Sequence, residues 1–250
     1  WEETLWWMVA RNFGLKVNME AFEEIAKSLP LTILAKHKYQ IHQLEGLLLG
    51  QAGLLDGNFK DDYPSLLQRE YIFLKRKYSL KTVSTQIHFL RMRPGNFPTI
   101  RLAQLAMLIH TSSHLFASLK EMESINEIRE RFSVTANDYW LYHYLPDELS
   151  TYKKKNIGKA MIDNIIMNTV IPVLFAYGLH QKEEKYKERA IQFLQQLPAE
   201  SNHIISQYNG LNIKSGSAFD TQALIELKTM FCDQKNCLKC AVGNSILKEQ

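Results

Sequence analysis

Apolar residues recur at helical spacing along nearly the whole chain. Leu34, Ile41, Leu44 and Leu48 fall on one stripe of a helix, and strand-like alternation bounded by turn signals is absent. The pattern predicts an all-α fold, a multi-helix globular bundle around one core, ending in a short cysteine-containing loop. The predicted helices cover approximately residues 3–13, 18–28, 31–49, 62–78, 99–111, 114–120, 124–131, 157–177, 182–196, 202–208 and 221–231.

The segment 157–177 is the longest apolar helix, and we expect it to be central and buried. Its most apolar part, residues 165–177, is shorter than the roughly 20 residues that cross a bilayer and carries Asn168 and Pro172. We therefore expect no membrane partner. Pro172 lacks an amide hydrogen, so we expect a kink or interruption near it.

The composition is that of a globular protein. Hydrophobic residues make up 46% and charged residues 22% of the 250 residues, enough chain to bury a substantial core. We expect one helical domain over residues 1–250, with the lysine-rich segment 151–156 as a candidate hinge. Because the chain begins in a predicted helix and without Met, we expect it to be a piece of a longer protein.

The basic residues are clustered, although the net charge of +4 is small for a dedicated nucleic-acid arm. Clusters occur at residues 75–77 and 153–155, and at Arg91, Arg93 and Arg101. Arginine matches phosphate geometry, and Arg101 falls in the first turn of a predicted helix, where anions are favoured. These three arginines are the candidate phosphate site; the alternative is that they pair with nearby carboxylates.

The three cysteines of the chain, Cys232, Cys237 and Cys240, lie close together near its end. Clustered thiolates commonly hold zinc or an iron–sulfur cluster, for which His203 or Asp233 is a candidate fourth ligand. The alternative is three structural thiols that pack as small hydrophobes. An odd number of cysteines without a disulfide framework favours a reducing compartment, and we expect a cytoplasmic location.

The segment from Asp138 to Tyr144 is rich in aromatic residues and carries His143. Asp138 and His143 together suggest an acid–base dyad, and the aromatic residues suggest a platform on which bases stack. The alternative is a loop tucked under the core, in which His143 bonds to the backbone.

Two resemblances add to these patterns. The end of the chain, a helix leading into Cys232 and then a C-x2-C pair, resembles the iron–sulfur loop of helix-hairpin-helix DNA glycosylases of the endonuclease III type. It differs in having a four-residue first spacer and no fourth cysteine.

Nearly all of the chain resembles the C-terminal part of an uncharacterised bacterial family, domain of unknown function 2851. The resemblance rests on the motifs WEETL, QLEGLLLGQAGLL, RMRPGNFPTIR and DYWxxHY, on the segment from Ile157 to Gly178, and on the cysteine cluster. It implies that an N-terminal part of the protein is missing from this chain, and it implies no activity.

Three functions stay open at this stage. The first is an accessory helical module that contacts nucleic-acid phosphates through Arg91, Arg93 and Arg101. The alternative is a protein-interaction or scaffold domain without a ligand. The third is an enzyme that uses Asp138 and His143.

Overall fold

The structure, a computed structural model, describes residues 1–112 and 114–248. It divides into two compact units, Trp1–Val173 and a second unit that begins at Leu174. About two thirds of the chain, 67%, is helical and only 4% is in strands, so the predicted all-α fold is confirmed. The boundary between the units lies inside the long apolar helix, and residues 151–156, the expected hinge, belong to the first unit.

The helices of the first unit are α1 (Glu2–Phe13), α2 (Leu15–Ser28), α3 (Leu31–Lys36), α4 (Ile41–Gln51), α5 (Asp62–Lys77), α6 (Pro98–Thr111), α7 (Leu115–Glu121), α8 (Ile125–Phe132) and α9 (Lys159–Ile165). Short 3-10 turns cover Pro94–Asn96 and Asp138–Leu141. Strands β1 (His143–Leu145) and β2 (Glu148–Leu149) form a small antiparallel pair, in which His143 lies opposite Leu149.

The long apolar helix continues from α9 through a π-helical turn, Ile166–Val170, into α10 (Ile171–Gln181). The π turn ends two residues before Pro172, close to the expected interruption. Proline has no amide hydrogen to donate, and a π turn is one of the ways in which a helix continues past such a break in its hydrogen bonding. In the turn, Thr169 is buried and accepts a hydrogen bond from the Asn12 amide of α1.

The continuous helix Lys159–Gln181 has 23 residues, with an apolar window of mean hydropathy 1.5 that is half buried. It is longer than the sequence pattern indicated, and by length and composition it meets the requirement for crossing a bilayer. Core helices of globular proteins meet the same requirement. Here Ile162, Ile165, Ile166 and Val170 are buried, and α9 is tied to α8 by an ion pair between Arg129 and Asp163 at 2.7 Å.

The second unit contains the end of α10, then α11 (Glu184–Gln196), α12 (His203–Gly210) and α13 (Ala218–Glu226). A π-helical turn, Leu227–Cys232, a 3-10 turn, Cys237–Lys239, and α14 (Ala241–Lys248) follow. A capping box begins α13, where the Ser217 side chain accepts from the Asp220 backbone and Asp220 accepts in return.

Two glycines permit close packing in the first unit. A side chain on Gly50 of α4 would meet the ring of Tyr71 of α5 at 2.2 Å, and one on Gly14 would meet the Asn18 carbonyl oxygen at 2.4 Å. Gly50 therefore lets α5 lie against α4. Gly14 lets α1 and α2 follow each other directly, with Leu15 in the left-handed region at φ 53°.

The helix predicted over residues 31–49 is two helices, α3 and α4, joined by a turn around His37. His37 is buried and bonded on both ring nitrogens, Nδ1 to Gln43 at 2.5 Å and Nε2 to the Tyr78 hydroxyl at 2.9 Å. These bonds hold His37 at the start of α4 and beside the end of α5. The apolar stripe predicted the burial of Leu34, Leu44 and Leu48 correctly, but the helix is interrupted at the turn where His37 bonds to Gln43 and, over a long range, to Tyr78.

Candidate functional site

The clearest charged feature of the first unit is a basic–aromatic surface formed by Lys36, Phe73, Lys77 and Tyr78, with the exposed Tyr39 three residues after Lys36. The Lys36 Nζ lies 5.7 Å from the centroid of the Tyr78 ring, and the Lys77 Nζ lies 5.3 Å from the same ring and 5.8 Å from that of Phe73. Tyr39 is 84% and Phe73 is 58% exposed. The lysines end α3 and α5, where the helix dipole favours positive charge.

The second basic feature is the arginine loop, residues 79–97, which leaves the end of α5 and carries Arg91 and Arg93. Both arginines are exposed, and Arg91 has a left-handed backbone at φ 62°. In the described part of the chain, no carboxylate lies within ion-pair distance of Lys36, Lys77, Arg91 or Arg93. Local pairing, the alternative explanation for the loop arginines, is not seen for these two residues.

The arginine loop is attached to α2 and α5 at several points. The Asn18 side chain, buried in α2, both donates to the His88 carbonyl and accepts from the His88 amide, at 2.8 Å each. Thr85 donates to Glu24, and the Lys75 Nζ donates to Thr82 at 2.8 Å. These contacts hold the loop in one path although it has almost no regular secondary structure.

Arg101 is in a different environment from Arg91 and Arg93. It lies in the first turn of α6 as predicted, but it is only 7% exposed. Its guanidinium donates to Gln104 Oε1 at 2.8 Å and to Asn96 Oδ1, and burial lowers the pKa of Arg101 to about 10. The bond to Asn96 fixes the end of the arginine loop against α6, so Arg101 positions the loop.

Lys155 of the basic cluster at residues 153–155 is also withdrawn from the surface. It is 4% exposed, its Nζ donates to the Leu141 carbonyl at 3.0 Å, and it lies 4.1 Å from the centroid of the Tyr144 ring. Burial lowers the pKa of Lys155. The Lys155 carbonyl accepts from Gln104, so a chain of bonds links Arg101 through Gln104 to this segment.

The carboxylate beside His143 is that of Asp61, rather than that of Asp138 as the sequence suggested. His143 Nε2 lies 3.3 Å from Asp61 Oδ2, and its Nδ1 bonds to the Tyr139 carbonyl at 2.9 Å. The His143 ring also stacks on the Tyr139 ring, with centroids 4.0 Å apart. Asp138 is exposed at the start of its 3-10 turn. His143 therefore faces an oxygen atom on each of its ring nitrogens.

Asp61 belongs to a polar and aromatic network that reaches the core. The Tyr139 hydroxyl donates to Asp61 at 2.7 Å, and the Tyr139 ring stacks on that of Tyr63 at 4.9 Å. Tyr63 and Trp140 both donate to Glu45 Oε2, at 2.8 and 3.1 Å. Burial raises the pKa of Glu45 to about 7, and the two hydrogen bonds oppose this increase only in part.

Sequence reasoning missed the members of this network that lie outside the segment 138–144. Glu45 gives a signal, because it is a carboxylate within the apolar run Leu44–Leu49 of α4, where a buried acid requires donors. Asp61 gives none, because it lies next to Asp62 in a polar turn and meets His143 only in the folded chain. The expected backbone bond of His143 is present.

The three cysteines differ in exposure. Cys232 and Cys237 are exposed, and Cys240 is buried. The pKa of Tyr208 is raised, mainly by burial and to a smaller extent by the nearby Cys232 thiol. Across residues 1–112 and 114–248 there is no group of three or more His, Cys, Asp or Glu side chains placed to hold a metal ion. The cysteine-ligated metal stays a prediction from the spacing.

The sequence model of one protein family, described as Protein of unknown function (DUF2851), matches residues 1–203. Comparisons with curated proteins and with solved structures give no match. The matched residues include the basic–aromatic surface, the arginine loop and the Asp61–His143 network, whereas the cysteine cluster lies outside them. Since the match covers well over half of the chain, the chain belongs to this family of proteins of unknown function.

Proposed function

We propose that the first unit binds the phosphates and bases of single-stranded nucleic acid through the basic–aromatic surface and the arginine loop. The observation that carries the proposal is a set of exposed cations, Lys36, Lys77, Arg91 and Arg93, that have no carboxylate partner among the described residues. Lys36 and Lys77 lie beside the rings of Tyr78 and Phe73. Proteins that bind single strands combine these two features: cations contact the backbone, and rings stack on bases in a sequence-tolerant way.

The charge distribution along the chain supports the same proposal. No Asp or Glu occurs between Glu70 and Glu121, a segment that includes the end of α5 and the whole arginine loop. The segment carries Lys75, Arg76, Lys77, Lys81, Arg91, Arg93, Arg101 and Lys120. This segment is therefore strongly positive although the net charge of the whole chain is small, and a positive region favours association with polyanions.

The residues have separate roles in this proposal. Lys36, Lys77, Arg91 and Arg93 contact phosphates, and Tyr39 and Phe73 stack on bases. Arg101 acts through Asn96 by holding the loop that presents Arg91 and Arg93, so it is a positioning residue. Asn18 holds the middle of the same loop through His88.

Fluorescence anisotropy with a labelled thymidine oligonucleotide, measured at several salt concentrations, tests the proposal. We expect saturable binding that weakens steeply with salt, and a salt slope reduced by about 0.7 for each phosphate contact removed in Lys77→Glu and Arg91→Glu. Phe73→Ala should weaken binding by about 1–3 kcal/mol with the salt slope unchanged. Lys214→Glu, an exposed lysine of the second unit, is the matched control and should not alter binding.

No binding at low salt, or equal losses in Lys77→Glu and Lys214→Glu, would contradict the proposal. Either result would favour a protein-interaction domain without a nucleic-acid ligand.

A further inference from the structure

In the second unit, the helix that begins with α13 ends in a turn between the first and the second cysteine of the chain. The Asn236 amide donates to the Phe231 carbonyl at 2.9 Å, and the Lys235 amide donates to the Cys232 carbonyl at 3.1 Å. Lys235 has a left-handed backbone at φ 54°. This pair of bonds around a left-handed residue is a common helix ending. It stops the helix and leads the chain directly into the 3-10 turn that begins at Cys237.

Cys237 and Cys240 lie at the two ends of this 3-10 turn. The Cys240 amide donates to the Cys237 carbonyl at 3.2 Å. Residues joined in this way have Cα atoms within about 7 Å of each other, and their side chains lie on the same side of the turn. A disulfide joins Cα atoms that are about 4.4–6.8 Å apart. The backbone of the turn therefore brings the two residues to the spacing that a disulfide between them requires.

Helix α14 holds this turn in place. A side chain on Gly243 would meet the Cys237 carbonyl oxygen at 2.4 Å, so the helix lies directly against the turn. The Asn244 amide donates to the Cys240 carbonyl, and the Asn244 side chain donates to the Leu238 carbonyl, at 2.9 Å each. Because these contacts already fix the backbone between the two cysteines, joining their side chains costs little additional conformational entropy.

The two thiols differ in exposure in the way that thiol–disulfide exchange requires. Cys237 is exposed, whereas Cys240 is only 7% exposed. A disulfide that arrives from solution therefore reaches Cys237 first, and Cys240 then acts on the neighbouring sulfur of Cys237. The exposed residue is suited to the attack on the incoming disulfide, and the buried residue is suited to the second step.

The charge around the pair is positive. Lys235 and Lys239 are exposed, and in the described ranges neither has a carboxylate within ion-pair distance. Asp233, the nearest acidic residue in the sequence, pairs with Lys228. Such a surface favours the approach of an anionic disulfide, a description that fits oxidised glutathione with its carboxylates.

A redox pair needs two neighbouring thiols, whereas a metal site needs at least three converging ligands. Among residues 1–112 and 114–248, no three His, Cys, Asp or Glu side chains are placed to hold a metal ion. Cys232 lies before the helix ending and outside the 3-10 turn that joins the other two cysteines. The observed geometry therefore favours a pair over a cluster of three ligands.

We propose that Cys237 and Cys240 form a reversible dithiol–disulfide pair whose oxidant is a low-molecular-weight disulfide such as oxidised glutathione. The Cys237 thiolate attacks one sulfur of the oxidant, which forms a mixed disulfide and releases one glutathione thiolate. The Cys240 thiolate then attacks the Cys237 sulfur, which forms the internal disulfide and releases the second glutathione thiolate. The two protons of the cysteine thiols pass to the two glutathiones, so the protein loses two electrons and the oxidant gains them. An excess of reduced glutathione reverses both steps, so the disulfide is transient in a reducing compartment.

Equilibration of the whole chain at different ratios of reduced to oxidised glutathione tests the pair. The samples are quenched with acid, alkylated, digested with trypsin and analysed by mass spectrometry. Trypsin cleaves after Lys228, Lys235 and Lys239, so each cysteine lies in its own peptide and the linkage is read directly. We expect a link between the Cys237 and Cys240 peptides that increases with the fraction of oxidised glutathione and disappears in an excess of the reduced form.

Three serine variants separate the roles of the cysteines. Cys240→Ser should stop the reaction at the mixed disulfide on Cys237. Cys237→Ser should slow the oxidation of Cys240 at least about tenfold, because the buried thiol loses its exposed partner. Cys232→Ser changes the other exposed cysteine, and this matched control should leave the linkage and its dependence on the glutathione ratio unchanged.

Three results would overturn the proposal: a disulfide from Cys232 to either of the other cysteines, mixed disulfides alone at every ratio, or oxidation of Cys240 that is as fast in Cys237→Ser as in the native chain. Stoichiometric zinc that protects all three thiols from oxidised glutathione would also contradict it and would support the metal site instead.

Discussion

The Asn18 side chain clamps the main chain of His88 with two hydrogen bonds of 2.8 Å, one donated and one accepted. Asn18 lies at a kink of α2, with φ −117°, and is 2% exposed, whereas His88 lies in the exposed arginine loop. The side-chain amide of Asn18 thus satisfies both backbone hydrogen-bonding groups of His88, as a neighbouring strand would in a β-sheet. This contact is one of several that tie the loop to α2, α5 and α6.

Replacing Asn18 with Ala should destabilise the protein by about 1–3 kcal/mol, because the His88 amide and carbonyl both lose a buried partner. Hydrogen exchange at the His88 amide should become faster while exchange in α6 is unchanged. Thr85→Ala removes the exposed hydrogen bond between the same loop and Glu24, and it should lower the free energy of unfolding by no more than about 0.5 kcal/mol. Equal effects of the two substitutions would show that Asn18 has no special role.

The Asp61–His143 pair predicts different outcomes for two chemically identical substitutions. Asp61→Asn weakens a charge-assisted bond from Tyr139 and removes the charge beside His143, and it should destabilise the protein by about 1 kcal/mol. Asp138→Asn changes an exposed side chain, so the free energy of unfolding of this variant should lie within about 0.5 kcal/mol of that of the native protein. Urea unfolding of both variants gives the comparison. A larger loss for Asp138→Asn would indicate that Asp138 is the true partner.

Glu45 should give the protein a pH-dependent stability. Because burial raises its folded-state pKa from 4.5 to about 7, the folded state holds the proton more tightly than the unfolded state. The resulting stability is fully present below about pH 4.5 and is lost as the pH rises to about 7, a total of about 3 kcal/mol.

Unfolding free energies measured at about pH 5 and about pH 8 test this for the native protein and for Glu45→Gln. Glutamine keeps an oxygen acceptor for Tyr63 and Trp140 but cannot ionise, so the decrease in stability between the two pH values should be smaller in the variant. Glu20→Gln, at an exposed position of α2, should retain the full decrease. An unchanged decrease in Glu45→Gln would assign the pH dependence to other groups.

The exposure of the thiols predicts their reactivity. Iodoacetamide should modify Cys232 and Cys237 in the folded protein well before Cys240, because only Cys240 is buried. Mass spectrometry of the timed reaction gives the order. Added zinc should leave the rates unchanged if the cysteines are structural thiols. Stoichiometric protection of all three would instead support the metal site that their spacing predicts.

Local patterns in the sequence determined the fold class and most helix positions. The period of apolar residues is a property of consecutive positions, so helices such as α1 and α6 are visible in a short window. Gly14 and Pro98 also act locally, through the backbone conformations that they permit.

The tertiary structure alone decided which distant residues meet. The break at His37 depends on Tyr78, the burial of Arg101 on Asn96 and Gln104, and the partner of His143 on the approach of the turn before α5. A cavity between α1, α3, α6 and α7 likewise exists only where these helices leave space between them. Contacts of this kind depend on how helices cross, and crossing angles arise from the packing of whole side-chain surfaces, which no short window of sequence contains.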